Sequence, residues 1–76
     1  YPVGTLVRLD TNEIGLVMEV GKKNPDDVFL KMLFGTVGEK LPTPSDRELS
    51  GSDVIKIVGE VDPFVKGIEV TDYFTK

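Results

Sequence analysis

Apolar residues in this chain recur at every second position in short runs, and each run ends at a cluster of Gly, Pro, Asn or Asp. Such alternation belongs to strands with one buried face, and no stretch carries the 3.6-residue period of an amphipathic helix. Residues 4–9 (GTLVRL) continue a pattern in which Val3, Thr5, Val7 and Leu9 point one way and Leu6 and Arg8 the other. Asp10-Thr11-Asn12-Glu13 then reads as a hairpin turn, with Asn12 the residue that best tolerates a positive φ. Residues 14–20 (IGLVMEV) place Ile14, Leu16, Met18 and Val20 on one face, and Gly15 marks a bulge, a bend or a close backbone approach. After a polar loop around Asn24-Pro25, residues 28–34 (VFLKMLF) form the most apolar segment. They read as a central strand with Val28, Leu30, Met32 and Phe34 together.

The second half is less regular. Residues 35–52 carry Gly35, Gly38, Pro42, Pro44 and Gly51 and read as a long connection, in which residues 39–41 form a short edge strand that Pro42 stops. Residues 53–61 are the last expected strand, with Ile55, Ile57 and Val61 alternating against Lys56 and Glu60. Asp62-Pro63 has the form of a helix start and Gly67 that of a stop, which leaves room for about one turn. Residues 70–74 add a second short turn, with Thr71 or Asp72 as its cap. The expected architecture is all-β: a small, bent antiparallel barrel or roll over residues 1–76, Src-homology-3-like in the first instance and an open roll in the second, with one or two helical turns near the C-terminus. At 76 residues the chain is one domain, and it starts at Tyr inside a strand-like pattern, as a piece excised from a larger protein would.

The chemistry available is narrow. The chain has neither His nor Cys, which removes the commonest general base, the thiol nucleophile and tetrahedral zinc, and excludes disulfides. No catalytic residue, metal ligand or cofactor site is expected. Asp26-Asp27 and the group Asp46, Glu48 and Asp53 lack the spacing of a calcium loop and read as solvated acids. Gly35, Gly38, Gly51 and Gly59 match no phosphate-binding fingerprint and read as turn glycines. The net charge of −4 argues against nucleic acid as a partner, and no apolar run approaches the ~20 residues of a membrane helix. Four aromatic residues near the chain ends, Tyr1, Phe64, Tyr73 and Phe74, are the candidate docking surface. For Phe64 and Phe74 the plainer reading is a plug in the open end of a barrel; for Tyr1 and Tyr73 core and interface weigh equally. Arg8 and Lys31 are a candidate anion contact if the register brings them together, against the commoner reading of solvated strand charges.

Tyr1-Pro2-Val3-Gly4-Thr5, then Val7 and Leu9, then Gly15, Val17, Glu19 and Val20 resemble the stretch that follows the catalytic domain in bacterial HD-GYP proteins. Asn24-Pro25 ahead of VFLKML, the segment Ser45-Asp46-Arg47-Glu48-Leu49, and the closing Ile57-Val58, Asp62-Pro63, Gly67-Ile68 and Asp72-Tyr73-Phe74 are similar to later parts of the same pattern. The turn at Thr11-Asn12-Glu13 departs from it, since the family often places Gly there. The family's enzymes hydrolyse cyclic di-GMP at a His/Asp metal centre in a helical domain, none of which maps onto this chain. What the resemblance implies is a non-catalytic accessory domain of a bacterial, cytoplasmic phosphodiesterase, packed against the catalytic domain of the same polypeptide. The alternative is a small-barrel module that binds a protein, a nucleotide or RNA.

Overall fold

The fold is taken from a computed structural model that describes residues 1–24 and 26–74. Among the described residues five strands form one antiparallel sheet: β1 (Leu6–Leu9), β2 (Ile14–Val20), β3 (Val28–Phe34), β4 (Lys40–Leu49) and β5 (Ile57–Glu60), in the order β4-β3-β2-β1-β5. Four strands run as a meander and the fifth returns beside the first, so the all-β bent sheet expected from the alternation is what forms. The helical content of the described residues is one 3-10 turn at Val70–Tyr73.

The hairpins follow from local chemistry. Between β1 and β2 the Asn12 N–H donates to the Leu9 carbonyl at 2.9 Å and the Leu9 N–H to that of Glu13 at 2.8 Å, with Asn12 at φ 75°. This is a three-residue hairpin loop whose last residue is left-handed, and Asn takes the place where Gly is usual. The Asn12 side chain also donates to the Thr36 carbonyl at 2.8 Å, tying this turn to the β3–β4 turn. Gly15 has the role of a close approach: a Cβ built there would lie 2.8 Å from Met32 Sδ, a side chain with no exposed surface.

Each face of the sheet carries a buried cluster, while Phe29 on β3 and Val58 on β5 stay 43% and 59% exposed. On the inner face Val7, Leu9, Val17, Val28, Leu30, Met32 and Leu49 form one cluster, against which Val20, Leu41, Ile55 and Ile57 pack. On the other, Leu6, Ile14, Leu16, Leu33, Phe34 and Ile68 form a second, covered by Met18, Val61, Val70 and Tyr73. Strict alternation assigns Val20 to the face of Ile14 and Phe34 to that of Met32, and both leave it. The β2–β3 pairing slips twice, between Val17 and Glu19 with Met18 the extra residue on β2, and between Ile14 and Gly15 with Leu33 the extra residue on β3. Each bulge moves the following side chain to the opposite face.

Five expectations are corrected. Pro42 does not stop a strand: β4 runs from Lys40 to Leu49 through Pro42 and Pro44. It lies at the sheet edge, and with Met32 opposite Ser45 and Phe34 opposite Lys40, residues 41–44 stand across from Leu33 alone. A proline on an edge, inside a bulge, loses no ladder bond. The last strand is shorter than expected, because Asp53 anchors a turn: its carboxylate accepts from Ser50 N–H at 2.7 Å and its own N–H donates to the Ser50 carbonyl. Gly59 accordingly lies in β5, opposite Arg8, and not in a turn. Residues 63–67 form a closed turn and no helix. The 3-10 turn is capped by Glu69, without a side-chain capping bond, and not by Thr71 or Asp72. Of the loop nucleus Asn24-Pro25, Pro25 lies outside the described residues.

These contacts set a ranking of substitutions. Leu30→Ala, at a fully buried inner-face position, is expected to destabilise the chain by about 2–5 kcal/mol, and Gly15→Ala by about 1–3 kcal/mol through overpacking against Met32. Val54→Ala, at a position 92% exposed, stays within about 0.5 kcal/mol. Urea unfolding monitored by circular dichroism checks the order.

Candidate functional site

The two ends of the sheet meet at a cleft of about 310 Å³. Its floor is apolar: Val28 and Leu49 from paired positions on β3 and β4, with Ile55 and Ile57 approaching from the β5 side. Tyr1 stands over it, 49% exposed, and Asp26, Ser50, Gly51 and Lys56 make up the rim. The rim is internally tied, since Lys56 Nζ donates to the Gly51 carbonyl at 2.7 Å. The cleft thus combines an apolar floor with a short polar rim, the mix of surfaces common to binding sites. Among the described residues no group of three His, Cys, Asp or Glu side chains is placed to hold a metal ion.

The candidate docking residues divide between regions. Tyr1 belongs to the cleft, while Tyr73 packs against the second cluster beside Ile68. Phe74 follows the 3-10 turn and is 42% exposed. Phe64 is 88% exposed and plugs nothing, because the residue of its turn that enters the core is Ile68. Its neighbour Val65, not among the aromatic candidates, is 76% exposed. Adjacent apolar residues between Pro63 and Gly67 were the signal for it.

Arg8 and Lys31 are not brought together. Arg8 pairs with Ile14, which pairs with Phe34, whereas Lys31 pairs with Leu16: two strands and three residue positions separate them. Lys31 instead faces its cross-strand partner Asp46, Nζ to Oδ1 3.9 Å, a surface pair of small energetic weight.

The strongest electrostatic feature joins residues far apart in sequence. Arg47 of β4 donates from its two terminal guanidinium nitrogens, Nη1 and Nη2, to Glu13, at 2.7 and 3.0 Å, and the Thr11 hydroxyl donates to the same carboxylate at 2.7 Å. By register parity Arg47 shares the inner face with Leu30 and Leu49, so the pair lies across β3 and links β4 to the start of β2. The hydrogen bond from Arg47, then that from Thr11, holds the Glu13 carboxyl below the usual carboxylate range, and Glu13 in turn raises Arg47. The Glu13 side chain is 15% exposed, so solvent screens the pair less than a surface one.

No helix among the described residues is long and apolar enough to cross a membrane. Comparison with protein-family models, with curated proteins and with solved structures finds no match.

Because the Glu13 carboxyl is depressed in the folded chain, its contribution to stability is present above the ordinary carboxylate range and is lost as pH falls through the lowered folded value. Urea midpoints measured from pH 7 downward should fall less steeply for Glu13→Gln than for the parent chain, and the two curves should converge in acid.

Proposed function

We propose that this chain is a non-catalytic accessory domain that packs against a neighbouring domain of its own polypeptide, and that its parent is a bacterial, cytoplasmic HD-GYP-type phosphodiesterase acting on cyclic di-GMP. The observation that carries the packing role is the division of apolar residues. Each sheet face has a core cluster built from within the chain, yet Phe64, Val65 and Val54 remain more than three-quarters exposed. Apolar side chains left outside a completed core are material for an interface. The parentage rests on the resemblance of residues 1–20 and of the closing segments to the tail of those enzymes. The structure adds a reason for the one departure from that pattern, since Asn12 adopts the left-handed conformation that Gly usually supplies.

The cleft beneath Tyr1 favours a second reading, a small-barrel module that takes up a protein segment, a nucleotide or RNA. A phosphate-bearing ligand would meet Asp26 at the rim and a lysine already engaged by a carbonyl.

Deleting residues 1–76 from the full-length protein tests the first reading: reduced thermal stability or reduced phosphodiesterase activity is expected, and a protein unchanged in both would rule it out. Amide shifts of the chain titrated with cyclic di-GMP and with short RNA separate the two readings. No saturable shift is expected at Ile55, Lys56 or Ile57; saturation there would establish the binding module.

A further inference from the structure

Residues 62–68 make a turn closed at both ends. The Asp62 carboxylate accepts from Phe64 N–H at 2.9 Å at its start. At its end the Ile68 N–H donates to the Pro63 carbonyl at 2.9 Å and the Gly67 N–H to that of Phe64 at 3.1 Å, with Gly67 at φ 69°. This nested pair of bonds around a left-handed glycine is the closure that ends helices, here wrapped around a single turn. Ile68, the residue after the glycine, is 8% exposed and sits in the second core cluster, so the turn is fastened to the sheet. Phe64 and Val65 lie on its outer arc.

Charge narrows what these two side chains can meet. Glu60, Asp62, Glu69 and Asp72 are all exposed in the same segment. The cation of that segment, Lys66, is turned back, with Nζ 5.3 Å from the centre of the Phe34 ring. An apolar tip set among carboxylates is repelled by phosphate backbones and anionic lipid surfaces and is complementary to an apolar pocket with a cationic rim.

We propose that the turn at residues 63–67 is the docking element of this domain, with Phe64 and Val65 inserting into an apolar pocket rimmed by Lys and Arg side chains on the neighbouring domain of the same polypeptide. The inference rests on the accessory-domain reading and adds the contact and the partner's chemistry. A tip held in shape by its own hydrogen bonds loses little freedom on docking, which is what a small interface needs for specificity.

The test is hydrogen exchange on the full-length protein, with Phe64→Asp and, separately, Glu60→Lys combined with Asp72→Lys. Both sets lie at exposed positions, and unchanged protection of the β1–β3 amides in each variant reports that the sheet is intact. Phe64→Asp is expected to speed exchange at least tenfold in one segment of the neighbouring domain. The charge reversal should loosen the same segment, and in the parent protein rising salt should do likewise. Unaltered exchange in the Phe64→Asp protein, while deletion of residues 1–76 does loosen the neighbour, would overturn the turn as the contact and leave the accessory reading standing. A deletion without any effect on the neighbour would overturn that reading, and this inference with it.

Discussion

A twisted sheet has two faces, and a chain of 76 residues has little beyond the sheet itself with which to cover them. The solution here is asymmetric. The inner face is covered by curling the sheet on itself, so that Leu49 at the end of β4, Ile57 at the start of β5 and Ile55 just before it close over Val7, Val17 and Leu30. The outer face is covered by the chain that follows β5, with Val61, Ile68, Val70 and Tyr73 laid over Leu6, Leu16 and Leu33. Every other feature of the molecule depends on this double coverage. The two bulges feed Val20 inward and Phe34 outward, and the Glu13–Arg47 pair links the start of β2 to β4 across β3.

The residue types of the C-terminal segment separate into two sets. Ile68 and Tyr73 face the sheet, while Phe64 and Val65 face away from it. A chain that needed only to cover its own sheet would gain by turning Phe64 inward, since burial of a phenyl group is worth about 1.5–3 kcal/mol. Instead, Asp62 and Gly67 close the turn in a form that holds the ring outward. This is the physical basis for treating the segment as an interface element and the sheet as its support.

Much of this was legible in the sequence where local rules decide the outcome. The positive φ at Asn12, the tight packing at Gly15 and the glycine stop at Gly67 each follow from what a single residue can and cannot adopt. The passage of β4 through Pro42 and Pro44 was not legible, because whether a proline breaks a strand depends on whether its N–H faces a partner, and edge position is a tertiary fact. The same holds for Val20 and Phe34, whose faces are set by bulges that alternation cannot foresee. The Glu13–Arg47 pair joins residues 34 apart with no pattern between them. Of the aromatic set, Phe64 was visible as a candidate, but its reading as a plug failed because Ile68 fills the place.

The central claim, that the chain builds the core cluster on each sheet face itself and leaves the 63–67 turn outward, is tested most directly by nuclear Overhauser contacts in the isolated chain. Contacts from Ile68 and Tyr73 to Leu6, Leu16 or Leu33, together with a Phe64 ring that touches only its own turn, are the result predicted. A Phe64 ring in contact with Leu33 or Phe34, with Ile68 released to solvent, would contradict the account.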